Sequence, residues 1–476
     1  MIGFFADDFT FIKQFASHQS VLRLLFTNTD GAVGGGSWRP LTSLQFWFTF
    51  GLNFSATVQH IISVLLYLLC GYLFFLLLKK DFKILYAGAA AALWLLLPIH
   101  TEPLMWIAAR ADLLAAIFAL ATLLAAQKNK VWQSVAWFAV SILCKEVWVL
   151  LPVAAFFILP AQSRKKYSIA SFSVLAVWAI VRWRITSYGV GGYSVGSVPW
   201  SARAFFMNEQ LIDFIGGIFL WGQSQATVVT WISEFWFIVS YVIWAGAARL
   251  IYLWRQHVPQ LLLLGATLLP ILLLKVPFVS GHASVAEQRY WFAPSIALAW
   301  LMAAGLFSLA KKYPRIFGGI TISVGFIFAC GLITSISYFA TAGRYEEQAL
   351  QRWNVAATST STPLIVAFAP DTYAGVHLLA SPFFEAAAAT QPASVAPWYS
   401  QSGPGLPPTW AVWRSEGRVF ASSTSPRFIS LHRAGIHAEL SESITPTSTI
   451  AAWNGVDWVV LPPQVPPVDN PPESRY

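Results

Sequence analysis

Residues 56 to 78 contain no Asp, Glu, Lys or Arg. About 20 apolar residues are enough to cross a bilayer as a helix, so this run alone sets the class of fold. Similar stretches lie near 84 to 99, 104 to 126, 167 to 185, 231 to 254, 258 to 279, 291 to 310 and 315 to 340. With 57% hydrophobic and only 11% charged residues in a chain of 476, the composition is far from the soluble average of about 25% charged. The sequence is that of an integral, multi-pass membrane protein.

Orientation decides how residues 131 to 160 are read. Cytoplasmic loops are enriched in Lys and Arg. Five short connections are basic: "KKDFK" (79 to 83), "QKNK" (127 to 130), "SRKK" (163 to 166), the Arg249 to Arg255 region and "KKYPR" (311 to 315). They share one side of the membrane only if 131 to 160 is a hairpin of two short helices broken at Lys145-Glu146 and if 205 to 222 is re-entrant or interfacial. About ten spans result. This parity places residues 1 to 55 and the tail from about 341 on the outer face, together with the connections at Pro98 to Pro103, 186 to 230 and 280 to 290. It also predicts a further transmembrane helix upstream of Met1. The net charge of +9 follows from topology and does not point to nucleic acid. Cys70, Cys144 and Cys330 lie in or beside apolar segments without metal-ligand spacing and read as buried thiols.

After Phe339 the polarity becomes ordinary. "TPLIVAFAP", "RVFASS", "RFISLH" and "VDWVVLPP" read as strands and "SPFFEAAAATQ" as the start of a helix. The expected organisation is a first outer loop (1-55), a helical bundle (56-340) and a small extracytoplasmic α+β domain (341-476) ending in a Pro-rich tail.

In such a chain the informative residues are those that are costly to keep in hydrocarbon. Asp7 and Asp8 open the outer loop among Phe4, Phe5, Phe9 and Phe11. They read either as a solvated acid pair or as carboxylates held at the membrane surface for general-base or metal-binding work. In "LPIHTEPLMWIAARADLLAAIF" (97 to 118), His100 and Glu102 occupy the outer turn, and Arg110 and Asp112 follow inside the next helix. At i,i+2 the last two do not share a helix face. Lys145 and Glu146 sit at the hairpin tip, where an ion pair closing the turn competes with a functional role. Arg182 and Arg184 stand at an outer helix end, either snorkelling or binding phosphate. Glu287, Arg289 and Tyr290 stand at another outer helix end; an aromatic belt explains Tyr290 but not Arg289. Charge thus gathers at the outer rim, whereas a transporter concentrates it at the midplane between inverted repeats.

The blocks "DDF" (7 to 9), "WRPLT" (38 to 42), "QHIISVLLY" (59 to 67), "PIHTEPLMWIAARADLL" (98 to 114), "CKEVWVLLP" (144 to 152) and "QRYWFAPS" (288 to 295) resemble the membrane part of the transmembrane and tetratricopeptide-repeat O-mannosyltransferases and their bacterial relatives. Those enzymes belong, with the protein O-mannosyltransferases, to the C-type glycosyltransferases. The resemblance covers roughly residues 1 to 340. It departs from the family pattern at Ala109 (family Gly), at Ser63 and Tyr67 (Asn and His) and at Gln288 (Glu).

The resemblance implies an all-α, polytopic C-type bundle. It implies transfer of a sugar from a polyprenyl-phosphate carrier to an acceptor hydroxyl on a protein or glycan, on the exoplasmic face and with inversion. Asp7 or Asp8 would be the base. Arg289, Arg182, Arg184 and Lys145 are candidates to face the leaving phosphate, and His100 and Glu102 to contact sugar hydroxyls or orient the base. Arg110, Asp112, Glu146, Glu287 and Tyr290 complete the expected substrate-binding set. No cofactor is required, although the paired acids would suit a divalent metal. A flippase or transporter of lipid-linked glycan, or a non-catalytic scaffold, is the competing reading.

Overall fold

The computed structural model describes residues 7–16, 20–27, 29, 37–186, 214, 218, 257–274 and 285–358, and nine strands between 364 and 461. Two compact units are distinguished, one of Gln14–Ser337 and one of Met1–Lys13 with Tyr338–Tyr476. The expected 231 to 254 span lies outside the described residues, as do "RFISLH", the helix at "SPFFEAAAATQ" and the Pro-rich end. Within the 205 to 222 segment only Phe214 and Ile218 are described, both helical and buried.

The helices, in chain order, are α1 (Asp7–Ala16), α2 (Val21–Leu25), α3 (Pro40–Gly51), α4 (Ala56–Leu78), α5 (Ile84–Leu95), α6 (Thr101–Met105), α7 (Arg110–Gln127), α8 (Val131–Cys144), α9 (Leu151–Ile158), α10 (Ala161–Thr186), α11 (Val258–Leu274), α12 (Phe292–Lys312) and α13 (Pro314–Thr358). Among the described residues, four stretches are long and apolar enough to cross a membrane: Ala56–Leu78, Ile107–Gln127, Ala161–Thr186 and Pro314–Trp353. A fifth counts if α5 and Pro98–Met105, bent by 60° at their junction, form one broken span. Residues 131 to 160 are two short helices, α8 and α9.

Local chemistry sets these boundaries. Ser55 caps α4 by accepting a hydrogen bond from the Val58 amide. Pro98 lacks the amide that would continue α5 and restrains the residue before it, so the chain turns there into a 3-10 turn, Pro98–His100, and then α6. Asn129, at φ 54°, takes the left-handed conformation that ends α7, and its side-chain Oδ1 accepts from Ser163 Oγ at 2.7 Å. Lys145 is extended (φ −159°, ψ 137°), which breaks the hairpin between α8 and α9, and Pro152 sits in the first turn of α9.

Packing in the larger unit centres on α7, which contacts α4 and α8. Its buried face is rich in Ala111, Ala115, Ala116, Ala119, Ala125 and Ala126. Small side chains let helix backbones approach closely where lipid gives no hydrophobic drive to association. The same close approach occurs between α4 and α5. A Cβ built on Gly71 would lie 2.6 Å from a Leu95 methyl.

Helix α13 outruns the apolar stretch that begins it. It continues to Thr358, well past residue 340, because "TAGRYEEQALQRWNVAAT" is rich in helix formers and holds no Pro. Polarity ends the apolar stretch there but not the helix. In the smaller unit the described residues beyond 363 are strands. β1 (Leu364–Tyr373) pairs in parallel with Thr449–Trp453, which pairs antiparallel with Trp458–Leu461. Trp410–Ser415, Arg418–Ser423 and His437–Leu440 form an antiparallel meander.

Candidate functional site

The turn Pro98–Met105 packs against a 3-10 turn, Val285–Trp291, which leads into α12. This pairing brings the "HTE" and "QRYWFAPS" blocks together across almost 190 residues. Glu102, fully buried, accepts a hydrogen bond from the Arg289 amide at 2.6 Å, and its other oxygen lies 3.7 Å from the Arg289 guanidinium. That guanidinium stacks over the Trp106 ring at 4.2 Å and over Tyr290 at 5.2 Å. Arg289 is therefore fixed by a carboxylate on one side and aromatic faces on the other, an arrangement that suits a planar cation and would not suit a lysine.

Across Tyr290 stands the second cation. Lys145 Nζ lies 5.4 Å from the Tyr290 ring centre and 2.6 Å from Asp112 Oδ2. Asp112 and Lys145 side chains are 4% and 9% exposed, so the pair is desolvated and each charge depends on the other. One line of contacts thus runs Glu102, Arg289, Tyr290, Lys145, Asp112, drawn from α6, the 3-10 turn, the break after α8, and the first turn of α7.

Of the two readings of Lys145 and Glu146, the ion pair between them does not form. The extended backbone at Lys145 sends the two side chains apart, and Glu146 instead receives a bidentate fork from Arg39, at 2.9 Å from Nε and 2.7 Å from Nη2. Burial pushes the Glu146 carboxyl up, but the Arg39 guanidinium, its hydrogen bonds and the field of Arg182 outweigh it and hold the group well below the usual carboxylate range. Arg182 is buried against Trp178, whereas Arg184 is exposed. Thr42 Oγ1 donates to the Cys144 carbonyl at 2.8 Å and anchors the same break to α3. Arg39 was missed by the sequence reading, although it lies in the "WRPLT" block. The available signal was a lone cation directly before a Pro-initiated apolar helix.

Arg110 and His100 turn inward. Arg110, fully buried, donates to Ser63 Oγ (3.2 Å), Gln59 Oε1 (2.9 Å) and the Gln59 carbonyl (2.8 Å). It ties α7 to α4 and makes no pair with Asp112, as the i,i+2 spacing requires. His100 sits in a box of Tyr67, Trp94 and Phe292 rings. Its Nδ1 is 2.8 Å from the Tyr67 hydroxyl and its Nε2 2.8 Å from Ser295 Oγ. In one assignment Trp94 Nε1 donates to Ser295 Oγ (3.0 Å), Ser295 donates to Nε2, Nδ1 donates to Tyr67, and Tyr67 donates to the Leu95 carbonyl (2.6 Å); the Phe292 carbonyl, 2.7 Å from Ser295 Oγ, competes for the one Ser295 proton. With both ring nitrogens engaged and no exposure, His100 braces the turn that carries Glu102. The expected contact with sugar hydroxyls or with the base would need one of these two bonds to open. Tyr67, where the resembled family carries His, is part of that brace.

Beside it lies a cavity of about 210 Å³, lined by Leu93, Trp94, Leu97, Ser295, Met302 and Phe328 among others. Its walls are almost wholly apolar, and Trp94 and Ser295 belong both to it and to the His100 chain.

Asp7 and Asp8 open α1 in the smaller unit, Asp8 with its side chain fully buried. The side chains of Asp7 and Glu287 lie outside the described residues. Among the described residues no group of three or more His, Cys, Asp or Glu is placed to hold a metal ion.

No family model matches the chain and no solved structure does. One stretch of 100 residues, 20% of the chain, is 33% identical to a protein O-mannosyl-transferase of Caenorhabditis elegans. The match spans 14% of that relative's length, and the relationship is a distant one.

Proposed function

We propose that this chain is a membrane glycosyltransferase that moves a sugar from a polyprenyl-phosphate carrier to an acceptor hydroxyl on the exoplasmic face, with inversion. The observation that carries this reading is the fixed pair of cations, Arg289 and Lys145, flanking Tyr290 and each backed by a buried carboxylate. The likeness to an O-mannosyl-transferase supports the same chemistry.

In the proposed step the acceptor oxygen attacks the anomeric carbon from the face opposite the carrier. The anomeric C–O bond breaks and its electrons pass to the bridging phosphate oxygen. A phosphate needs no proton to leave, so charge stabilisation is the main demand on the protein. Arg289 and Lys145 would meet it, with Glu102 and Asp112 fixing their positions so that little reorganisation is needed as charge develops. Asp7 or Asp8 would take the acceptor proton. The apolar cavity beside Ser295 would take the first isoprene units of the carrier. The about ten-span topology, with 341-476 as an outer α+β domain, belongs to this proposal.

The test is incubation of the purified protein, in nanodiscs, with a panel of polyprenyl-phosphate sugars while release of the lipid phosphate is followed. Asp7→Asn or Asp8→Asn is expected to abolish release with carrier binding retained, and Arg289→Gln to weaken both. Movement of intact carrier between leaflets without phosphate release would replace this reading with a flippase. A protein that neither binds nor turns over any carrier would be a scaffold.

A further inference from the structure

A second cleft lies away from these charges, between α9 and α10. It measures about 240 Å³ and is lined by Val153, Phe157, Tyr167, Ser171, Phe172 and Leu175 among others. Tyr167, Ser171 and Leu175 follow at four-residue intervals and so share one face of α10. Most of α10 is unburied by protein, with 17% of its apolar window covered, and Phe172 is 74% exposed. The cleft therefore sits in a helix face that meets hydrocarbon.

Two hydroxyls make it more than a greasy groove. Tyr167 is fully buried and Ser171 is 1% exposed; the Tyr167 hydroxyl faces the Ser171 and Ser134 hydroxyls, but no close hydrogen bond joins them among the described residues. The Ser134 hydroxyl donates its proton to the Thr122 carbonyl at 3.0 Å, so toward Tyr167 it can only accept. Hydroxyls without a close partner are costly inside a membrane, where no water is at hand to satisfy them.

Charge completes the pattern. The run Arg164, Lys165, Lys166 lies one turn before Tyr167, about 4.5 Å along the helix at 1.5 Å per residue. Arg164 stacks over Phe156 and Phe157, at the mouth of the cleft. No Asp or Glu occurs between Val147 and Asn208 to neutralise this rim. From the rim inward the order is cations, hydroxyl donors, then apolar walls. A glycerophospholipid presents the matching order of phosphate, ester carbonyls and acyl chains.

We infer that the α9–α10 cleft binds one anionic phospholipid, its phosphate on Arg164 to Lys166, its ester carbonyls accepting from Tyr167 and Ser171, and an acyl chain along Val153, Phe172 and Leu175. The site is separate from the proposed carrier site and does not depend on any transfer activity.

The full chain is purified from nanodiscs of phosphatidylcholine doped with phosphatidylglycerol, and retained lipid is counted by native mass spectrometry. One phosphatidylglycerol is expected to be retained in preference to phosphatidylcholine. Tyr167→Phe, which removes only a hydroxyl, is expected to lower that retention roughly threefold to tenfold, the fold-change one neutral hydrogen bond supports. Lys165→Gln with Lys166→Gln, on the exposed surface, is expected to abolish the anionic preference while zwitterionic binding persists. Soluble glycerophosphate is expected not to displace the lipid. Equal retention of the two lipids, unchanged retention in both variants, displacement by glycerophosphate, or polyprenyl phosphate taking the same site would each overturn the inference.

Discussion

Replacing Lys145 by Met tests whether the Lys145–Asp112 pair is there for packing or for chemistry. The pair is 2.6 Å apart with side chains 9% and 4% exposed. Removing one partner leaves the other charge buried, at a cost of about 3–5 kcal/mol. The lost contact with the Tyr290 ring adds about 0.5–1 kcal/mol. The single variants Lys145→Met and Asp112→Leu are each expected to lose stability on that scale. The double variant should regain most of it, because well-packed apolar side chains replace a buried pair at little net cost. The folded state would be followed by helical circular dichroism during SDS denaturation in mixed micelles, and phosphate release measured on the same samples. Restored stability with transfer still absent is the expected result, since no cation then faces the leaving phosphate on that side of Tyr290. If the two single losses simply add in the double variant, the pair is not coupled as its geometry requires. If the double variant transfers sugar normally, Lys145 has no part in the reaction.

Three further outcomes follow from particular contacts. Ser295→Ala removes the hydroxyl that links Trp94 to His100 and should cost about 1–3 kcal/mol, the range for leaving buried polar groups unanswered; the same denaturation assay reads it, and Ser295→Thr should recover part. Gly71→Ala forces a Cβ to within 2.6 Å of Leu95, an overpacking expected to cost about 1–3 kcal/mol, and adding Leu95→Ala should relieve that clash in a two-variant cycle. Glu146, in the turn between two short helices, has a carboxyl depressed chiefly by Arg39 against the upward push of burial. Its contribution is therefore full above the unfolded carboxylate value of about 4.3 and fades as pH falls through the lower folded value. Acid unfolding of Arg39→Gln should then show a shallower loss of stability below that pH than the parent protein, and identical acid limbs would argue against the pairing.

Much of the helical framework can be read from apolar length and from Pro and polar stops. Residues 56 to 78 correspond to α4, and the orientation argument that splits 131 to 160 at Lys145 matches the extended backbone found there. The end of α13 was not legible, because a drop in hydropathy marks where hydrocarbon ends and says nothing about where helical hydrogen bonding ends. The α5 bend was half legible: Pro98 marks the break, but its 60° angle depends on what the turn packs against.

For the site, insertion cost identifies which residues need partners without naming them. Arg110, Asp112, Lys145, Glu102 and Arg289 all stood out as charges too costly to leave unanswered, and in the structure each is answered from a different element: Arg110 by α4, Asp112 by the break after α8, Glu102 by the turn before α12. The sequence rule that neighbours at i,i+2 diverge correctly kept Arg110 from Asp112, whereas adjacency left a Lys145–Glu146 pair open that does not form, because a turn that breaks a helix also separates the side chains on either side of it. The surroundings of His100 were not legible for a related reason. A histidine among outer-face charges looks like a ligand-facing group. Its role depends on Tyr67, Trp94 and Ser295, uncharged residues to which no insertion-cost argument draws attention. Satisfying both nitrogens of one buried imidazole makes the turn rigid, and a rigid turn is what Glu102 needs if it is to hold the Arg289 backbone and guanidinium in one place. The proposed transfer chemistry therefore rests as much on those three neutral side chains as on the charges they support.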